Sequence, residues 1–184
     1  MIRRVVVTTV FLLMSAIAHA QSFCYPGSGN TIPCPCGNPP GAPFAGCNNS
    51  ANTGGAVLSA TSPGYLSADE VVLSVTGMLP HAACIVLQAP QPNVMGAAFG
   101  DGLLCLTGGI LRLNQIPKQA AGGASSYPQA GDLSISARSA QAGQPIQPNS
   151  SRYYQVYYRD PANFACPSPA TFNSSSGAAV FWFP

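Results

Sequence analysis

Glu70-Val71-Val72-Leu73-Ser74-Val75-Thr76 decides the fold class. Val71, Leu73 and Val75 fall on one side of an extended chain and Glu70, Ser74 and Thr76 on the other. That period of two marks a strand with one buried face. Val72 interrupts the polar side without changing the period. Working outward, Ala56-Val57-Leu58-Ser59-Ala60 reads as a short strand before it. Ala83 to Ala89 is a nearly continuous apolar run, as expected of a strand covered on both faces. Leu103–Leu106 and Ile110–Leu113 flank Gly108-Gly109, which predicts a tight hairpin. Leu133, Ile135 and Ala137 alternate with Ser134, Ser136 and Arg138, predicting a further strand. Arg152–Arg159 and Ala178–Phe183 supply the last two, with Ala178, Val180 and Trp182 as a core set.

Turn formers separate these runs: Ser62-Pro63-Gly64, Gly77 to Pro80, Ala89 to Asn93, Gly122-Gly123, Gly143 to Asn149 and Asp160-Pro161. Beyond the first twenty residues no window of twelve or more carries a helical period. The expected fold is all-β: a β-sandwich, jelly-roll or immunoglobulin-like, with an N-terminal disulfide-stapled loop segment.

The chain starts Met1-Ile2-Arg3-Arg4, continues with an apolar run from Val5 to Ile17, and then reads Ala18-His19-Ala20. A basic start, a short apolar stretch and a small-x-small site are the signature of an export signal. The expected organisation is a signal peptide over 1–20, a cysteine-rich segment over 21–54 and a sandwich domain over 55–184. The expected location is outside the cytoplasm: secreted, periplasmic or at the cell surface. Past Ala20, Arg112, Lys118, Arg138, Arg152 and Arg159 balance Asp69, Glu70, Asp101, Asp132 and Asp160. Without a basic stripe, a nucleic-acid partner is not expected. No second long apolar segment follows, so no membrane span is expected after cleavage. All 19 Gly and 18 Pro lie beyond the leader, yet net charge there is near zero and apolar residues are gathered into runs. Those two features oppose disorder.

Cys24, Cys34, Cys36 and Cys47 follow the leader closely. Four thiolates suit tetrahedral zinc, but zinc ligand pairs are usually two to four residues apart, and here the inner pair is Cys-Pro-Cys. In an oxidising compartment two disulfides are the better expectation. A ring across one proline would be badly strained, so Cys34 and Cys36 are not expected to pair with each other. That leaves Cys24–Cys34 with Cys36–Cys47, or Cys24–Cys36 with Cys34–Cys47. Cys105 and Cys166 make a natural long-range third pair. Cys84, inside the apolar run, is expected to remain a free thiol.

The catalytic inventory is thin. His81 is the one histidine beyond the leader, Glu70 the one glutamate, and Gly-x-Ser-x-Gly does not occur. Cys84 and His81, three residues apart in an extended chain, would point to opposite faces. Asp101 in Phe99-Gly100-Asp101-Gly102 and Asp160 before Pro161 read first as turn residues. The aromatic strand Arg152-Tyr153-Tyr154-Gln155-Val156-Tyr157-Tyr158-Arg159 is more suggestive. Alternation places Tyr154, Val156 and Tyr158 in the core. It leaves Tyr153, Gln155, Tyr157 and Arg159 as an exposed row suited to stacking on sugar rings.

Cys34-Pro35-Cys36-Gly37-Asn38, Gly46-Cys47-Asn48-Asn49-Ser50, Gly77-Met78-Leu79-Pro80, Phe99-Gly100-Asp101-Gly102-Leu103-Leu104-Cys105 and Tyr154-Gln155-Val156-Tyr157-Tyr158-Arg159-Asp160-Pro161 form a specific set. Together they resemble an uncharacterised family of secreted, cysteine-containing β-domain proteins abundant in planctomycete bacteria. The resemblance runs from about Phe23 to the end of the chain. It implies an extracellular or periplasmic β-domain, and an ordinary apolar residue usually holds the Cys84 position in that family. It implies no activity, and it carries no catalytic residues across.

The expected function is non-catalytic: binding or assembly at the cell envelope or outside the cell, on a cell-surface glycan or protein, with no cofactor and no metal. That function predicts an exposed face around Tyr153, Tyr157 and Arg159 and no cleft of converging ionisable groups. The alternatives are a small secreted hydrolase using carboxylates such as Asp101 and Asp160, and a purely structural envelope component.

Overall fold

Strand-forming alternation dominates the computed structural model, which describes residues 21–61, 63–161 and 171–184. The leader expected over 1–20 and the cysteine at Cys166 lie outside those residues. The centre of the molecule is an antiparallel pair, β5 (Ala83–Ala89) and β11 (Ser150–Arg159), in register from Tyr153↔Ala89 to Tyr158↔Cys84. On the other side of β11 lies β13 (Gly177–Phe183), and β1 (Gln21–Phe23) pairs antiparallel with β13. Short pieces complete this large sheet. β8 (Leu111–Arg112) and β9 (Lys118–Gln119) line the free edge of β5, β12 (Phe172–Ser174) pairs with the end of β11, and β3 (Gly64–Tyr65) runs parallel to the end of β13.

A second sheet has the order β10-β4-β2, made from β2 (Val57–Ala60), β4 (Leu73–Thr76) and β10 (Ser125–Tyr127). It faces the inner side of the large sheet. Cys84, Val86, Tyr154, Val156, Tyr158, Ala178, Val180 and Trp182 from one layer pack with Leu58, Leu73, Val75 and Tyr127 from the other in one buried cluster. Trp182 Nε1 donates to Tyr154 Oη at 3.1 Å, so neither polar tip is stranded in the core. The alternation in 70–76 appears as expected: Val71, Leu73 and Val75 are buried.

The outer side of the large sheet is covered as well, by a hairpin of β6 (Gln91–Phe99) and β7 (Gly102–Thr107). Ile85, Leu87 and Ala89 meet Leu106, with Leu104, Phe23, Tyr153 and Tyr157 packed alongside. β5 therefore has apolar neighbours above and below, which is why its sequence is continuous rather than alternating. The molecule is all-β, with antiparallel sheets in three layers.

Four expectations need correction. The run around Leu133–Arg138 is not a strand: Ile135–Gln141 forms a helix, α1. Its Ile135 and Ser139, four residues apart, are the buried pair, and Asp69 Oδ2 accepts the Ser136 amide at 2.6 Å in its first turn. A few residues of alternation fit either period, and the docking face decided it. Gly108-Gly109 does not close a hairpin, because β7 and β8 belong to different sheets. The hairpin is made instead at Phe99–Gly102. Part of the Ala89–Asn93 turn cluster is the start of β6, an outer-layer strand whose Gln91, Val94 and Met95 lie exposed.

The fourth correction concerns the bridges. Cys24 pairs with neither Cys34 nor Cys36 but with Cys105, and Cys105 is therefore not joined to Cys166. β1 brings Cys24 to the outer face of the large sheet, where Leu103 and Cys105 of β7 lie buried beside it. Cys34 joins Cys47, one half of one expected pattern. Bridges of this kind persist in an oxidising, extracellular or periplasmic environment. No helix among the described residues is long and apolar enough to cross a membrane.

Candidate functional site

The row expected on the outer face of β11 is largely covered. Gln155 is fully buried under β7. Its Oε1 accepts the Cys105 amide at 3.0 Å, while its Nε2 donates to the carbonyls of Leu103 (2.7 Å) and Ser175 (2.8 Å). It is a structural tie between layers, not a ligand contact. Tyr153 packs edge-on against Phe23 at 5.6 Å. Arg159 is exposed, and its guanidinium donates to Thr171 Oγ1 at 2.7 Å. The four residues do not form one open surface. Alternation gave their side of the sheet correctly, but nothing local announced that a hairpin would cover it.

Tyr157 borders an aromatic-walled cavity. Its ring, Phe99 and Phe172 form a triangle with centroids 4.8–6.0 Å apart. Leu87 and Leu104 complete an apolar wall, and the cavity beside them measures about 440 Å³. Ile110 and Arg112 stand at the same cavity. Arg112 reaches it because β8 pairs with β5 at Leu87↔Arg112, which puts both side chains on the outer face.

A second aromatic group lies about 20 Å further along the same face, judged from six residues of strand between Tyr157 and Ser151. β13 buries Ala178, Val180 and Trp182 and so turns Phe181 and Phe183 outward. The parallel register Phe183↔Tyr65 then adds a third ring. Tyr65 stacks on Phe183 with centroids 5.4 Å apart, and Phe181 meets Phe183 at 4.8 Å. Tyr65, Phe181 and Phe183 are 45%, 41% and 38% exposed. Gly64 makes this close approach feasible, since a Cβ there would lie 2.8 Å from the Trp182 ring. Phe181 and Phe183 were legible as the complement of the Ala178/Val180/Trp182 core set. Tyr65 was not, because its place depends on a pairing across more than a hundred residues.

The two candidate carboxylates are otherwise engaged. Asp160 is buried; its carboxylate accepts the Ser50 amide at 3.1 Å and the Ser50 hydroxyl. Asp101 is buried too, with its carbonyl accepting Asn38 Nδ2 at 2.9 Å and its Oδ1 3.4 Å from Cys36 Sγ. Both carboxylates face the 34–54 segment rather than an open cleft. Cys84 is a buried thiol, and burial pushes its pKa up, away from the reactive thiolate. His81 is exposed beside Pro80, Arg159 and Pro161.

Contrary to expectation, charged groups do converge at one cleft, of about 520 Å³, between α1 and the β9 region. Lys118 Nζ and Asp132 Oδ2 pair there at 2.6 Å. Arg138 donates to the carbonyls of Leu113 (2.9 Å) and Arg112 (3.2 Å) and to Gln141 Oε1 (3.2 Å). Burial pushes the Tyr127 phenol up to about 12, which keeps it protonated at neutral pH and unfit as a base. These charges hold α1 to the sheet. Among the described residues no cluster of His, Cys, Asp and Glu could hold a metal ion.

In comparison with known proteins, the chain matches no family model, no curated protein and no solved structure.

Proposed function

We propose that this is a non-catalytic binding protein of the extracytoplasmic space that docks a neutral polysaccharide on the Tyr65–Phe181–Phe183 face. The observation that carries the proposal is a row of three rings, with Phe183 touching both Tyr65 and Phe181, each more than a third exposed, on one flank of the large sheet. Isolated exposed apolar residues need no explanation, but a contiguous aromatic patch marks an interaction surface. Ring faces suit the C–H faces of pyranose rings, and the strand neighbours across from Phe181 and next to it, Ser151 and Ala179, carry no charge. The two disulfides and the export-type leader support a place outside the cytoplasm. Engagement of Asp101 and Asp160 with the 34–54 segment favours binding over hydrolysis.

The test is affinity electrophoresis of the oxidised protein against a panel of neutral β-glucans and xylans. Retardation by at least one polymer is expected. Tyr65→Ala/Phe181→Ala/Phe183→Ala should weaken it by about tenfold or more, or about 1.4 kcal/mol, at unchanged thermal stability. Retardation that survives the triple substitution, or none with any polymer, sinks the proposal.

A further inference from the structure

The pocket framed by the three rings Phe99, Tyr157 and Phe172 has a feature found nowhere else among the described residues. Among the described residues five side chains are permanently cationic at neutral pH, and four of them are spoken for. Lys118 is paired with Asp132, and Arg138, Arg152 and Arg159 donate to carbonyls or side-chain oxygens. Among the described residues Arg112 has no ion pair, and its guanidinium makes no hydrogen bond. It stands beside a wall that is otherwise almost wholly apolar.

Such a wall is a poor match for a sugar, which needs several polar partners. It is a good match for a flat apolar ring, held by offset and edge contacts with the three aromatic groups. The volume of about 440 Å³ lies in the range of small-molecule sites. A single guanidinium pairs best with a planar carboxylate, which it grips with two parallel N–H donors. The Tyr157 hydroxyl, which makes no hydrogen bond among the described residues, offers a second polar contact at the same cavity.

We infer that the pocket between the β6–β7 hairpin and the large sheet binds a small aromatic carboxylate, with the ring against Phe99, Tyr157 and Phe172 and the carboxylate on Arg112. This site is separate from the polysaccharide face and does not depend on it.

The probes are 2-naphthoate and its uncharged analogue 2-naphthalenemethanol, titrated calorimetrically into the oxidised full-length secreted chain. Saturable binding of 2-naphthoate is expected, with the alcohol at least about tenfold weaker. Arg112→Gln should bring 2-naphthoate down to the level of the alcohol, leaving the alcohol's affinity and the melting temperature unchanged. Ile110→Asp, at an exposed position by the cavity, should repel 2-naphthoate without harming the fold. Polysaccharide retardation should be the same with and without saturating 2-naphthoate, and the same in Arg112→Gln, so the two sites stand or fall separately. Equal affinity for acid and alcohol, an Arg112→Gln variant that binds both as wild type does, or no saturable binding below about 10 mM would overturn the assignment.

Discussion

Gln155 shows how one side chain can fix the relation between two layers. In sequence it sits where alternation points away from the core, in an outward row between Tyr153 and Tyr157, and polarity there reads as exposure. The outward side is in fact a second interior, and the amide satisfies one N–H and two carbonyls of the neighbouring backbone. Removing it would strand those groups away from water, where each unsatisfied group costs about 1–3 kcal/mol. Gln155→Ala is therefore expected to lower unfolding free energy by about 3 kcal/mol or more, as read from the urea midpoint. A loss below about 1 kcal/mol would mean that water replaces the amide without penalty. Asn114 works the same way at the edge of β5. Its Oδ1 accepts the Val86 amide at 2.7 Å and its Nδ2 donates to the Cys84 carbonyl at 3.1 Å, filling the ladder between β8 and β9.

Among the elements, the two bridges differ in what they enclose. Cys24–Cys105 spans 81 residues and clips β1 to β7, whereas Cys34–Cys47 spans 13 within one segment. The loop-entropy model gives about 4.5 kcal/mol for the first and about 3 kcal/mol for the second. Cys24→Ala/Cys105→Ala should therefore lower the melting temperature more than Cys34→Ala/Cys47→Ala does. The reverse order would show that the 34–54 segment is the principal clamp. The elements also differ in how far sequence reveals them. β5 was plain because both of its faces are apolar, and β4 because one is. β6 was hidden: Pro92, Asn93 and Gly96 are turn formers, and its outward residues face solvent, so neither period nor composition marks it. α1 was misread because Leu133–Arg138 is too short to separate two periods. Of the binding surface, Phe181 and Phe183 followed from β13's own alternation. Tyr65, Phe172 and Arg112 reach their sites only through register with distant strands, and a local pattern cannot encode that.

At the scale of the whole molecule, three buried phenols set an alkaline limit. Burial raises the pKa of Tyr127 from 10.0 to about 12 and pushes those of Tyr154 and Tyr158 still higher. Above pH 10 the unfolded chain releases these protons while the folded one keeps them, so the unfolded state binds fewer protons and stability falls as pH rises. The contribution is whole below pH 10 and is lost progressively as pH rises toward the folded-state values. The urea midpoint should accordingly be unaffected by these phenols below pH 10 and decline above it. Tyr127→Phe should make the decline shallower. An unchanged slope in that variant would show that its hydroxyl already reaches water. Finally, β1 and β13 lie side by side, so the large sheet is sewn shut by segments from opposite ends of the described chain. A chain exported as proposed above could not finish this sheet as it emerges. Under that proposal β1 must wait for β13, and a holding factor on the far side would have to shelter the whole stretch between them at once.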